Sequence, residues 1–291
     1  MKTMIGQQGL IKLFRTQIEY KALPRFSILV GPPGSGKRRL ADIIYSMYQK
    51  ANSKSRTYVY TISDNKVDTV RQMIRDAYTV KVTTFFILPD ADKMSLAAKN
   101  ALLKVTEEPP NKAFFIMTLE DENHTLSTIR SRGTVYHMEY YSPKEIQEFI
   151  KTTLTKDGMA VPTDIENILV SVCETPGDVT LFLNGPTSIS EFYEYVELVV
   201  DDVAEVSDAN AFKIADKIAL KDEEDKFDLR LFWRAFCRVC LDRMFDNAIR
   251  YGKGIEITSK YIQQLRITGI NRPSTFDMWL LEIRDAWWEE S

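Results

Sequence analysis

The sequence predicts an α/β protein, a parallel sheet covered by helices and followed by an all-α C-terminal part. Three observations predict it. Short apolar runs, at 26–30, 84–88 and 113–118, alternate with segments of helical period over the first half of the chain, as strands buried on both faces and joined by crossover helices do. One of these runs passes straight into a glycine-rich turn and then a helix, the order that a phosphate-binding loop requires. Beyond residue 189 only helical periodicity remains.

Residues 4–23 form an amphipathic helix with Leu10, Leu13, Phe14 and Ile18 at core spacing, and Pro24 ends it. Phe26 opens the first strand. Gly31, Pro32, Pro33, Gly34, Ser35, Gly36, Lys37 and Arg38 follow it, with two glycines framing four residues ahead of a lysine. That spacing lets backbone N–H groups wrap a phosphate while the lysine reaches the outer oxygens. The helix carrying Leu40, Ile43, Ile44 and Met47 directs its positive dipole end at the same anion. Such loops carry Ser or Thr after the lysine, to ligate magnesium. Arg38 stands there, and a guanidinium cannot ligate a cation.

Residues 52–56 are a polar loop, 58–62 a strand, 67–78 a helix and 84–88 a buried strand ending in Pro89-Asp90-Ala91-Asp92. Acidic residues at such a strand end hold magnesium and activate water. Pro89 occupies the first acidic place, so Asp90 is the one candidate base. Two readings of Asp90 and Asp92 stand: a catalytic role, or capping of the helix that starts near Met94. That helix, 94–106, carries Leu96, Leu102 and Leu103 and stops at Pro109 and Pro110. A strand at 113–118, a loop at 121–124, a short segment at 126–130 and a strand at 134–138 complete the sheet. Short helices fill 142–186. Gly185-Pro186 is a linker, and helices are expected at 192–203, 211–220, 228–250, 259–267 and 275–288.

With 291 residues, 44% hydrophobic and 11% aromatic, the chain can build two or three domains with cores. No apolar run at Met1–Gln8 suggests a signal peptide, and no stretch has the ~20 apolar residues of a membrane helix. No membrane partner is expected, and the three scattered cysteines fit a reducing cytoplasm. Cys237 and Cys240 are spaced like metal ligands, yet Trp233, Cys237, Cys240 and Met244 share one helical face, which reads as core. The net charge of −3 is divided unevenly. Residues 1–137 carry 21 Lys and Arg against 12 Asp and Glu, and residues 138–291 carry 17 against 29. The half holding the loop is the basic one, which suits contact with nucleotide and a nucleic-acid backbone.

Several separate stretches resemble a clamp-loader subunit of the AAA+ superfamily, most of all the delta-prime (and gamma) type of bacterial DNA polymerase III. They are Ile5-Gly6-Gln7-Gln8, Val67-Asp68-Thr69-Val70-Arg71, Lys99-Asn100-Ala101-Leu102-Leu103-Lys104 with Glu107-Glu108-Pro109-Pro110, and Thr128-Ile129-Arg130-Ser131-Arg132, with Gly133 where the family has cysteine. The resemblance implies an AAA+ phosphate-loop domain at 1–140, a small helical lid at 141–186 and a helical collar at 187–291. It further implies a hetero-pentamer with other clamp-loader subunits, which opens a sliding clamp and meets primer-template DNA through its backbone, and ATP as the cofactor.

Three departures follow from the same resemblance: Arg38 after the loop lysine, Pro89 for the Walker B aspartate, and Val179-Thr180 where the lid carries a sensing arginine. All three remove groups that act on the γ-phosphate or its metal. Arg132 is retained, which in the family reaches a neighbour's ATP as an arginine finger. The expectation is a delta-prime-like subunit with weak or absent ATPase activity of its own, with no metal-ligating residue assigned, magnesium left open and no zinc. The family's zinc module is absent too, since residues 38–89 contain no cysteine. The alternative is an active, gamma-like motor subunit with Asp90 as base. A stand-alone kinase on the same loop would need a phosphate-acceptor pocket and lid arginines, and residues 141–186 contain no arginine.

Overall fold

The computed structural model describes residues 4–157, 162–184, 188–205, 229–264 and 272–288. Two units emerge, one of residues 1–149 with Thr175–Gly177, the other of 150–174 with 178–291.

In the first unit the apolar runs become a five-stranded parallel sheet in the order β2-β3-β4-β1-β5. The strands are β1 (Phe26–Val30), β2 (Thr57–Thr61), β3 (Thr83–Leu88), β4 (Ala113–Leu119) and β5 (Thr134–His137). The continuous apolar runs occupy the interior: β1 and β4 are buried throughout and β3 from its second residue on, whereas four of the five residues of β2 are exposed at the edge. Register places Phe86 beside Phe115 and Ile28 beside both Met117 and Val135.

Because side chains alternate along a strand, the paired phenylalanines divide between the two faces. Phe85 stacks on Phe114 at 4.8 Å, where Tyr48 of α2 (Lys37–Ala51) meets both rings and Tyr45 meets Phe85. Phe86 stacks on Phe115 at 5.3 Å. That pair lies in the core formed with Val70 and Met73 of α3 (Val67–Thr79) and with Ala98 and Leu102 of α4 (Leu96–Glu107). Helix α1 (Gln8–Glu19) buries Ile11, Phe14 and Ile18 and rests Phe14 on Tyr136 at 4.4 Å. A four-residue helix, α5 (Ser127–Arg130), precedes β5.

Three local expectations need correction. Leu13 and Leu96 are exposed: Leu13 lies beside the buried stripe of α1 rather than on it, and Leu96 is the first residue of α4. Helix α4 begins after Ser95, whose hydroxyl accepts the Ala98 N–H at 3.3 Å. Neither Asp90 nor Asp92 caps it.

The helices after the sheet are α6 (Pro143–Asp157), α7 (Thr163–Val172), α8 (Pro176–Asn184), α9 (Ile189–Glu205), α10 (Leu229–Asp242), α11 (Ala248–Gln264) and α12 (Arg272–Trp288). In the second unit Phe232, Trp233 and Phe236 of α10 pack with Trp279 and Trp287 of α12, all fully buried. The Trp279 indole donates to Thr258 Oγ1 at 3.0 Å, and that hydroxyl donates to the Gly254 carbonyl at 2.7 Å. Cys240 lies in this core, and burial raises its thiol far above the ordinary range. The helix expected across 228–250 is broken after Asp242. Tight backbone bonds from Met244 to Leu241 and from Asp246 to Arg243 turn the chain, and Asn247 Oδ1 then accepts the Arg250 N–H at 3.0 Å. Asn is a strong capping residue, so it starts a new helix where periodicity alone would continue the old one. The helix expected at 211–220 lies outside the described residues.

Candidate functional site

In open parallel sheets ligands bind beyond the carboxyl ends of the strands, where the strand order reverses. Strand β1 is flanked by β4 and β5, so the loop at Gly31–Gly36 leaves the sheet at that point. Gly34 and Gly36 have φ of 73° and 89°, values that L side chains rarely adopt. Crowding also excludes larger residues. A Cβ on Gly31 would lie 2.8 Å from the Met138 side chain, and one on Gly177 would lie 2.3 Å from Gly34 Cα. The Gly177 N–H donates to the Gly34 carbonyl at 3.1 Å, and the Tyr141 hydroxyl donates to the Ser35 carbonyl at 2.9 Å.

The loop is thus held from outside, and within it the Ser35 N–H donates to the Pro32 carbonyl at 3.2 Å. Helix α2 begins at Lys37 with Gly36 as its cap, no side-chain cap and no acid in its first turn. The buried Ser35 Oγ has no hydrogen-bond partner among the described residues. Lys37 Nζ curls over the loop and donates to the carbonyls of Gly31 at 2.7 Å and Pro32 at 2.9 Å. Burial lowers the pKa of its ammonium, with Arg38 adding to that effect, while Glu120, Asp92 and Asp90 oppose it. An uncapped helix N-terminus, a lone buried hydroxyl and a lysine in one cradle fit a phosphate group. In a bound nucleotide Ser35, Lys37 and the first amides of α2 would hold the phosphates.

Magnesium is a different matter. Arg38 reaches across to the end of β3 and donates to Asp90 Oδ2 at 2.6 Å, with Lys93 Nζ 4.0 Å from the same oxygen. Asp90 is held in a left-handed conformation, φ 49°. Its N–H donates to Thr118 Oγ1 at 2.9 Å, and its carbonyl accepts from Asn65 Nδ2 at 3.0 Å. The one carboxylate placed where a magnesium ligand is expected is therefore fixed and already shared by two cations. Residue 38 offers no oxygen, so a single carboxylate already paired with cationic side chains is what remains there. This donor set does not fit magnesium.

One acid, Glu120, escapes a reading of the sequence. Asp92 accepts the Glu120 N–H at 2.9 and 3.0 Å, which fixes the exit of β4. Glu120 is the acid whose charge acts most strongly on Lys37. A carboxylate directly after a buried strand beside β1 was the available signal.

Arg132 lies just beyond α5, apart from these residues in its bonding: Nη1 donates to the Thr128 carbonyl at 2.6 Å and Nη2 lies 3.4 Å from Glu107 Oε1. Behind it, a Cβ on Gly133 would meet Ile28 at 2.8 Å, so glycine at the family's cysteine position lets this segment sit tightly on β1. In α8, Val179 is fully buried and Thr180 exposed. Asp178 instead receives Arg230 at 2.6 Å.

Residues 49–142 match the family described as DNA polymerase III, delta subunit. Replication factor C subunit 3 of Schizosaccharomyces pombe is 23% identical over 204 residues, which cover 68% of this chain and 59% of the relative. The DNA polymerase III subunit gamma of Buchnera aphidicola subsp. Schizaphis graminum is 25% identical over 180 residues, 54% of this chain and 50% of the relative. The chain therefore spans between half and three fifths of the length of these relatives. A point mutant of Thermotoga maritima RuvB superposes with a TM-score of 0.50 at 17% identity, over 83% of this chain and 77% of that one, a likeness of fold. With a glycine-rich loop on a five-stranded parallel sheet, the chain shares the fold of this AAA+ structure, and in sequence it is similar to clamp-loader subunits.

Proposed function

We propose that the chain is a delta-prime-like subunit of a hetero-pentameric clamp loader, which helps place a sliding clamp on primed DNA. It holds nucleotide in the Gly31–Lys37 cradle, hydrolyses it weakly or not at all, and lends Arg132 to a neighbour's ATP. Residues 1–140 would be the nucleotide-binding domain, 141–186 the lid and 187–291 the collar that fixes subunit order. The work is done in the cytoplasm, on the DNA backbone. One observation carries the reading. Asp90, the candidate base, is tied to Arg38 at 2.6 Å, while the Arg132 guanidinium bonds away from that pair, to Glu107 and the Thr128 carbonyl.

An arginine finger places positive charge where the transferring phosphoryl group develops negative charge, and is worth ~10³ or more in rate. In the reconstituted assembly, Arg132→Ala should lower hydrolysis at the neighbour's site by about that factor. Nucleotide affinity of the isolated chain should stay unchanged. Undiminished hydrolysis by the variant assembly would overturn the finger.

The match to gamma subunits favours a second reading, an active motor subunit with Asp90 as base. Turnover by the isolated chain on the order of 1 s⁻¹ or faster would establish that reading in place of the first.

A further inference from the structure

The Arg38–Asp90 pair bears on what kind of anion the cradle accepts, an inference that rests on reading the loop as a nucleotide site. In related loops a divalent cation sits between the residue after the lysine and the acid ending the neighbouring strand, neutralising charge on the phosphates. Here a guanidinium bridges those two places directly, from α2 to the end of β3. A cation entering there would have to displace Arg38 from Asp90 and remain beside Lys37, Arg38 and Lys93. It would gain no hydroxyl ligand from residue 38.

Nucleotide, by contrast, meets two adjacent cationic side chains, the uncapped start of α2 and the buried, unpartnered Ser35 hydroxyl. The Arg38 side chain is 65% exposed, so its free guanidinium nitrogens can donate to phosphate oxygens without release of Asp90.

We propose that this chain binds nucleoside triphosphate as the metal-free anion, with Arg38 standing in for the divalent cation and Asp90 acting as the anchor that positions Arg38. Asp90 is then a positioning residue rather than a base. No bond of the nucleotide is broken in this state. The site is a holding site.

The test is calorimetric titration of the full chain with ATPγS, in excess magnesium and in EDTA. For the native chain the two dissociation constants should agree within roughly twofold, as no metal takes part in the binding. Arg38→Thr restores the hydroxyl and frees Asp90. Binding by this variant in EDTA should weaken roughly tenfold, and magnesium should recover most of that loss. Since Arg38 is largely exposed, its melting curve should match that of the native chain.

Asp90→Asn separates the two roles of the carboxylate. With its charged anchor weakened, Arg38 should hold the phosphates less well, so EDTA binding should fall severalfold with no recovery in magnesium, whereas loss of a metal ligand at this position would lower affinity only in magnesium. Roughly tenfold tighter binding by the native chain in magnesium overturns the proposal and leaves the nucleotide site standing. No binding in either buffer overturns both, and the Arg132 experiment on the assembly is independent of either result.

Discussion

At the residue scale, Arg38 is paired with Asp90, the acid at the end of β3. The Arg38–Asp90 bridge is largely exposed on the arginine side, and such pairs contribute ~0–1 kcal/mol to stability. Its effect is on what the site can bind, not on whether the domain folds. Tyr141 has the opposite emphasis, since its hydroxyl is buried beneath the loop and donates to the Ser35 carbonyl. Burial, with repulsion from Glu145 second, pushes that hydroxyl from 10.0 up to about 12. The folded chain then keeps its proton where the unfolded chain has lost it. Stability from this group is constant below pH 10 and falls as pH rises from 10 to about 12. Tyr141→Phe should cost about 1 kcal/mol at neutral pH through the lost hydrogen bond and make the alkaline decline shallower. Urea denaturation across pH 8–12 checks both. Tyr193 and Tyr261 are shifted in the same direction, so part of the decline persists.

At the element scale, the start of α8 serves two structures at once. Gly177 packs on Gly34 of the loop, and the next residue, Asp178, joins an ionic network of the second unit. There Arg230 bonds Asp178 and Glu174, and Arg234 bonds Glu174 at 2.6 Å together with the Val172 carbonyl at 2.7 Å. The side chains of Arg230 and Asp178 are only 13% and 7% exposed. Removal of one partner strands the others in a poorly solvated place. Arg230→Ala should therefore destabilise the second unit by about 3–5 kcal/mol, and Arg230→Met, which restores bulk but no charge, should recover little. Thermal melting of each variant beside Arg238→Ala, whose bridge to Asp242 is exposed, provides the contrast.

At the scale of the whole molecule, positive charge is concentrated in residues 1–137 and negative charge in the remainder. If the basic half meets the DNA backbone, affinity of the assembly for primed DNA should fall steeply with salt. With six or more phosphate contacts the fall is about 10³ between 50 and 200 mM. A fluorescence anisotropy titration at several salt concentrations measures the slope, and a flat dependence would deny the basic half that role.

The sequence by itself determined the α/β class, the succession of strands and helices through β5, the phosphate loop and the loss of its magnesium hydroxyl. Each is a local matter, decided by the period of a short run or by the spacing of a few residues. Tertiary structure alone decided that Arg38 and Asp90, 52 positions apart, share one hydrogen bond, that Glu120 acts on Lys37, and that Gly177 closes on Gly34. It also decided that α10 stops at Asp242, where a turn and a capping Asn247 override a helical period that continues through them. These depend on which strand ends lie side by side and on which chain segments approach closely, and no spacing within a single segment encodes that.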